Sequence, residues 1–359
     1  MSVSREFNGS AGSDDITLRS QGGVGVLQSP GLGQVVLKGV DSLTINPLAG
    51  DDTVTVKDLT GTRIKDVAID LAGTPDGILP DGQPDHVSLE GTQGADSIAL
   101  AFLNGTVSVT GLHASVEITN VDGTDQLTIS GLGGNDTITA QNGFPTGFAL
   151  TLDGGNGNDT LVGSDQADTL IGGSGNDFIK GGRGNDVALM GSGNDTFSWN
   201  PGDGSDIVEG QSGADTLLFN GSNAGEIINV AANGSRVALT RDVGAVVMDV
   251  NGVETLTIVT AGGTDHVTVN DLRGTDVRQV NVDLGAQGAP DSQADIVSVV
   301  GSGADDKVTF TNSGTQTVVK GLSVETHVTN ADAIDTVNVQ AGAGNDSFDL
   351  SKLTGAVPG

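Results

Sequence analysis

Between Gly154 and Ser198 the chain repeats itself every nine residues. The block Gly154-Gly155-Asn156-Gly157-Asn158-Asp159-Thr160-Leu161-Val162 is followed by blocks that begin at Gly163, Gly172, Gly181 and Met190. Each carries a glycine-rich turn, an Asp at its sixth position and an apolar residue at its eighth: Leu161, Leu170, Ile179, Ala188 and Phe197. So short a period suits a three-residue strand such as Thr160-Leu161-Val162, whose middle side chain points to one face because strand side chains alternate. The six residues before it form the turn, where glycines permit positive φ.

This pattern, in five near-contiguous copies, resembles the RTX, or hemolysin-type calcium-binding, nonapeptide repeat. The resemblance implies a parallel β-roll in which two nonapeptides close one flattened coil of 18 residues. Asp159, Asp177 and Asp195 then line one edge, and Asp168 and Asp186 the other. Neighbouring coils lie about 4.8 Å apart. At that distance two carboxylates repel by roughly 3.5 kcal/mol at an effective dielectric of about 20. Several such pairs rival the whole stability of a domain. Calcium, which takes six to eight oxygen ligands in flexible geometry, reverses the sign. The resemblance implies several Ca2+ ions as folding partners. Their ligands are one carboxylate per turn plus peptide carbonyls of Gly154, Gly155, Gly157, Gly172, Gly173, Gly175, Gly182 and Gly184, shared between stacked coils. The carboxylates of the centre are Asp159, Asp168, Asp177, Asp186, Asp195, Asp206 and Asp215. Two extra residues between the Asp195 and Asp206 turns break the nine-residue spacing there.

Weaker copies, each an Asp followed two residues later by an apolar residue, run through both flanks, as in Gly131-Leu132-Gly133-Gly134-Asn135-Asp136-Thr137-Ile138. The flanks also copy each other. Val54-Thr55-Val56-Lys57-Asp58-Leu59 matches Val267-Thr268-Val269-Asn270-Asp271-Leu272, and Val67-Ala68-Ile69-Asp70-Leu71 matches Val280-Asn281-Val282-Asp283-Leu284. Asp85, Asp96, Asp125 and Asp136 are separated by 11, 29 and 11 residues, as are Asp295, Asp306, Asp335 and Asp346. Such duplication marks a repeat architecture. The expected fold is all-β: a central roll over 146–220 between homologous β-rich modules over 1–145 and 221–359. Alternating runs such as Leu127-Thr128-Ile129 and Val337-Asn338-Val339 support strands, and no segment carries a capped helical period. Leu103-Asn104-Gly105-Thr106 and Thr311-Asn312-Ser313-Gly314 read as hairpin or coil turns at equivalent places. The stretches Gly73 to Pro84 and Gly285 to Gln293 read as exposed loops that could bear a binding surface.

A net charge of −31 argues against nucleic acid or an anionic membrane as partner, since both need basic patches, and fits a protein that takes up cations. Without cysteine there is neither a disulfide framework nor a thiolate metal site. No run approaches the roughly 20 apolar residues of a membrane-spanning helix. The first residues lack the apolar region of a secretory signal. RTX-like proteins leave the cell through a type I system that reads an uncleaved C-terminal signal; residues 351–359 do not resemble one, which suits an excised piece of a larger secreted protein.

An isolated turn Asp caps its own backbone. Repetition in register favours ligation at the centre, whereas a structural role is expected for the flanking Asp residues, with Asp136 and Asp346, each preceded by Gly-Asn or Gly-Gly-Asn, as exceptions. His86, His113, His266 and His327 show no metal-ligand spacing, and no nucleophile elbow or P-loop is present. Trp199 is expected to plug the roll where the register shifts, with carbohydrate stacking as the alternative. The leading expectation is a non-enzymatic, secreted calcium-binding solenoid with a structural, adhesive or self-assembling role, contacting a cell surface, a polysaccharide or its own copies end to end. The alternative is a polysaccharide-acting enzyme, or the accessory module of one.

Overall fold

The alternating runs become strands from one end to the other. The computed structural model describes residues 2–31, 33–313 and 316–353, and no helix occurs among them. The chain forms two compact units, Met1–Val187 and Ala188–Gly359, so the division falls inside the nonapeptide block.

In the N-terminal unit one ladder runs Ser4–Ser10, Ser42–Leu48, Asp66–Asp70 and Ser115–Thr119, all parallel. An antiparallel insert, Thr106–Thr110 and Ser97–Leu103, follows. Parallel pairing then resumes through Thr137–Ala140, Thr160–Val162 and Phe178–Lys180. The second ladder starts with the antiparallel meander Gly33–Leu37, Val24–Ser29 and Asp15–Gln21. It continues in parallel through Thr53–Val56, His86–Glu90, Gln126–Ser130, Ala149–Asn156 and Asp168–Ser174.

The C-terminal unit has the same plan. Thr196–Trp199, Thr216–Asn220, Thr255–Val259, Gln279–Asp283 and Glu325–Thr329 are parallel, the antiparallel insert Gln316–Lys320 and Lys307–Ser313 follows, and Ser347–Lys352 ends the ladder. Opposite it, Ile207–Glu209 pairs in parallel with Val246–Asn251, which opens the meander through Arg236–Arg241 to Ile227–Asn233. His266–Val269, Ile296–Val300 and Thr336–Gln340 continue in parallel. The segments matched by sequence thus hold the same positions: Thr53–Val56 and His266–Val269 each follow a meander, and Asp66–Asp70 and Gln279–Asp283 each precede an insert.

The roll and the flanks differ in width for a reason visible in their side chains. In the roll, Leu161 and Ile179 pair across an 18-residue coil, and each is its strand's single inward side chain. A flanking strand buries two, such as Val54 with Val56 or Leu127 with Ile129. Each strand contributes small aliphatic side chains to a thin core, so a chain nearly free of large aromatics can still exclude water.

The meanders and inserts interrupt the parallel ladders with antiparallel pairs. Their tight turns explain them: Gly22 and Gly23 lie at φ 60° and 77°, and Asn104 and Gly105 at 53° and 81°. Positive φ at both central residues matches strand twist and reverses the chain within two residues. The expected turn at 103–106 is therefore a hairpin. Its counterpart turn at 311–314 includes Gly314, outside the described residues, but the strands on either side pair antiparallel. Of the two expected loops, 73–84 exposes Ile78 and Leu79, while 285–293 contains a small antiparallel pair, Gly285–Ala286 with Ala289–Pro290.

Candidate metal centre

Each strand of the roll is entered through a turn whose sixth residue is a buried Asp, and these Asp residues connect the coils. In the N-terminal unit the Asp96 N–H donates to Asp136 Oδ1 (2.7 Å), the Asp136 N–H to Asp159 Oδ1 (2.7 Å) and the Asp159 N–H to Asp177 Oδ1 (2.8 Å). On the other edge the Asp168 N–H donates to Asp186 Oδ1 (2.9 Å). In the C-terminal unit the Asp195 N–H donates to Asp215 Oδ1 (2.9 Å), and the Asp215 N–H to Glu254 Oε2 (2.8 Å). Asp159 and Asp177 thus share one edge, and Asp168 and Asp186 the other.

One carboxylate oxygen is spent on the ladder; the fate of the second divides the turns into two kinds. In open turns the residue at position two has positive φ, and a glycine at position four lies well beyond the range of other residues. Gly155 and Gly157 (96° and 131°), Gly173 and Gly175 (104° and 125°), Gly182 and Gly184 (94° and 121°) and Gly191 and Gly193 (109° and 138°) show this. So do Leu132 and Gly134, Gln211 and Gly213, and Gly342 and Gly344, in the turns that end at Asp136, Asp215 and Asp346. In the first two of these, and at Asp159, the outer oxygen Oδ2 is buried and accepts no hydrogen bond. Position one supplies the cradle around it. A Cβ on Gly131 would lie 2.7 Å from Gly154 O and would overlap Asp136 Oδ2; one on Gly210 would lie 2.9 Å from Asp215 Oδ2. Carboxylate and carbonyl oxygens thus crowd ground that only glycine leaves free, as they also do at Gly163 before Asp168, so it is the unspent oxygen rather than the cradle that sets the open turns apart.

In closed turns a Ser or Thr at position two spends the carboxylate within the turn. The Ser164 N–H donates to Asp168 Oδ2, and its Oγ to Asp168 Oδ1 (3.1 Å). Thr92 and Ser302 cap Asp96 and Asp306 with both N–H (2.7 and 3.1 Å) and hydroxyl on Oδ2 alone. Asp168 therefore differs from Asp136, Asp159 and Asp215: both its oxygens accept hydrogen bonds from their own turn. Asp206 is buried in a turn of a third shape, where the Asn200 N–H donates to Asp203 Oδ2 (2.7 Å). Asp346 is half-buried and accepts the Asp306 N–H at 3.0 Å.

A further ladder at position five was not foreseen. The Asn158 N–H donates to Asn135 Oδ1 (2.9 Å), and the Asn176 N–H to Asn158 Oδ1 (2.8 Å). The carboxamides accept from the coil that follows, the carboxylates from the coil that precedes, so each junction is bonded both ways. The recurrent Asn-Asp pair, from Asn135-Asp136 to Asn345-Asp346, was the signal for it.

Electrostatics oppose this packing without a cation. Burial pushes the Asp136 and Asp215 carboxyls up to about 6, against the pull of the backbone N–H each accepts, and neighbouring carboxylates add to the rise. Burial likewise raises Asp159. Among the described residues no three His, Asp or Glu side chains converge on one point. An ion at an open turn would therefore be held largely by peptide carbonyls with single carboxylate oxygens. That donor set is all oxygen, as calcium requires, and the residues fit it.

The flanks contain comparable ladders. The Asp14 N–H donates to Asp52 Oδ1, the Asp52 N–H to Asp85 and the Asp85 N–H to Asp125; Asp265, Asp295 and Asp335 repeat this. Position one is Pro47 before Asp52 and Thr260 before Asp265, so side-chain atoms stand where the roll has glycine. Trp199 is fully buried, stacks on Phe219 at 4.2 Å and donates from Nε1 to Gly204 O. It offers no face to a sugar ring.

A family model described as the RTX calcium-binding nonapeptide repeat matches in four copies, at residues 128–144, 153–188, 162–197 and 202–223. The matched segments reach one turn before the contiguous block, to Asp136, and two turns after it, to Asp206 and Asp215. No curated protein matches the chain. The chain thus carries RTX calcium-binding repeats on an all-β parallel roll. Among the described residues no helix is long and apolar enough to cross a membrane.

Proposed function

We propose that the chain is an extracellular structural module that folds on calcium and carries an adhesive or self-assembling surface. The observation behind it is the row of buried outer carboxylate oxygens that accept no hydrogen bond, at Asp136, Asp159 and Asp215, with carbonyls beside those of Asp136 and Asp215 in glycine cradles. Stacked like charges keep the metal-free chain open where calcium is scarce, which suits export through a type I system as an extended polymer. Calcium at the roughly 0.1–1 mM level typical of extracellular modules then fills the turns, and binding energy becomes folding energy.

Exposed strand edges support the self-assembling part. Ser4–Ser10 and Gly33–Leu37 each end a ladder in the N-terminal unit, with Val35 and Val36 exposed; Ser347–Lys352 ends one in the C-terminal unit, with Phe348 and Leu350 exposed. Unpaired edges of this kind template pairing with another chain. Polysaccharide turnover lies outside this reading. The cavity of about 530 Å3 at the Gly33–Leu37 edge is lined mainly by aliphatic side chains, with Glu6 as its carboxylate beside Arg5 and Lys38.

The experiment is a calcium titration of metal-stripped protein, read by far-ultraviolet circular dichroism and sedimentation velocity, with magnesium as control. A cooperative gain of β signal at millimolar calcium or below, with association of the folded form that Val36→Lys weakens, is expected. A stripped protein that is already folded and indifferent to calcium contradicts the proposal.

A further inference from the structure

Turn 221–226 of the C-terminal unit has the cradle of an ion site but a different occupant. A Cβ on Gly221 would lie 2.5 Å from Glu226 Oε2, 2.8 Å from Thr260 O and 2.9 Å from Val259 O. These are the donors found around Gly131: one carboxylate oxygen and carbonyls of the next coil. Glu226 also holds the ladder position, since its N–H donates to Asp265 Oδ1 at 2.8 Å. Ser222 at position two donates from its N–H (3.0 Å) and its Oγ (2.5 Å) to Oε1 alone, so Oε2, unlike either oxygen of Asp168, accepts no hydrogen bond although the residue is 1% exposed.

What differs is a buried cation supplied by the chain itself. Arg241, from the meander strand Arg236–Arg241, is 4% exposed. Its Nε donates to Glu226 Oε1 (3.0 Å), and one terminal nitrogen donates to the same oxygen. The guanidinium also donates to Val243 O (2.7 Å) and Ser222 Oγ (3.2 Å), and lies 5.5 Å from the ring centre of Trp199. A single positive charge is thus fixed at a ladder carboxylate by hydrogen bonds and by a ring face that favours cations.

The N-terminal unit contains the same turn without this cation. Gly9, Ser10 and Asp14 repeat Gly221, Ser222 and Glu226, and the Ser10 N–H donates to Asp14 Oδ2 as that of Ser222 does to Glu226. In the C-terminal meander Arg241 stands opposite Ile228. In the N-terminal one, the register that sets Thr17 opposite Gln28 puts Ser29 at the equivalent place.

We infer that the Arg241 guanidinium takes the place of a calcium ion at turn 221–226, so that this turn is neutralised by the protein and takes no metal. The longer reach of Glu226 compared with Asp brings the carboxylate to the guanidinium. A divalent cation at Oε2 would meet the positive charge already bound at Oε1. The junction between Thr216–Asn220 and the C-terminal module is therefore closed independently of calcium. The inference rests on the reading that the open turns take calcium.

The test is to replace Arg241 by the residue of the equivalent N-terminal position, Arg241→Ser, in the full chain. Bound calcium is counted by equilibrium dialysis, and terbium is followed by luminescence excited through Trp199, the single tryptophan. The variant should bind one more ion than the parent and gain one tryptophan-sensitised terbium step. Adding Glu226→Gln should remove both, and Arg241→Lys should keep the parental count. The inference fails if Arg241→Ser binds no additional ion, if the extra ion survives Glu226→Gln, or if the variant stays unfolded at saturating calcium. A parent that binds no calcium defeats the underlying reading as well, a result separable from failure of the extra ion alone.

Discussion

Replacing Gly157 by alanine is expected to destabilise the N-terminal unit by more than about 3 kcal/mol in saturating calcium. Gly157 lies at φ 131°, where an L side chain is strained whatever the space around it. Space is also lacking: the added methyl would overlap Gly134 O and lie 2.5 Å from Gly134 C, on the backbone of the adjoining coil. A backbone atom of a packed ladder cannot move aside as a flexible side chain can. The overlap therefore opens the junction that also holds the Asp136–Asp159 hydrogen bond. Gly12→Ala is the control, because nothing lies within 4 Å of its added Cβ and its φ is ordinary. It should stay within about 0.5 kcal/mol of the parent. Urea unfolding of both variants decides the matter, and equal midpoints would dismiss the close packing of the turns.

Acid should stabilise the metal-stripped protein, the reverse of ordinary acid denaturation. Burial pushes Asp85 up to about 8 and Asp295 to about 7, against the backbone N–H that each accepts. Asp125, Asp52 and Asp81 face Asp85, while Asp265, Asp291 and Asp335 face Asp295, and all add to the rise. Burial holds Asp52, Asp125 and Asp265 at about 6. For each group the folded pKa exceeds the ordinary carboxylate value, so the fold binds protons more tightly than the unfolded chain. Stability is then greatest at low pH and falls as pH rises from about 4 through 6 to 8. A rise of two pKa units corresponds to roughly 3 kcal/mol per group. In chelator, the melting temperature at pH 5 should exceed that at pH 8 by many degrees. With calcium bound, the share that the open-turn residues Asp136 and Asp215 add, also raised to about 6, should vanish, while the share of the flanking carboxylates remains. A stripped protein that melts at lower temperature in acid would show that these carboxylates are solvated and ionised.

Much of the roll could be read from residues alone, because its period fixes everything else. Nine residues leave space for one inward side chain per strand, and Leu161 and Ile179 are those side chains. The duplication was equally legible, since equal Asp spacings in the two flanks require equal coils. The antiparallel inserts were not. Gly22-Gly23 and Asn104-Gly105 are hairpin signals, but alternating Val and Thr do not reveal whether the next strand pairs parallel or antiparallel. The site was half legible. Asp at position six announced the ladder, yet position two decides what the carboxylate does: Gly173 leaves the Asp177 turn open, and Ser164 closes the turn of Asp168. Leu132 and Gln211 adopt the same positive φ without glycine, so the open geometry reaches beyond the contiguous repeat for a reason no glycine count reveals. Arg241 lies 15 residues from Glu226 in sequence, and only the meander brings the two together.

The open turns are taken as the calcium sites, and Asp168 as shut to metal because Ser164 donates to both of its oxygens. Calcium counted by titration calorimetry on the parent, Asp159→Asn and Asp168→Asn tests this most directly. Asn keeps an oxygen to accept the ladder N–H but removes the charge. Asp159→Asn should bind fewer ions than the parent, and Asp168→Asn the same number. Equal losses at both positions, or a loss at Asp168 alone, would contradict it.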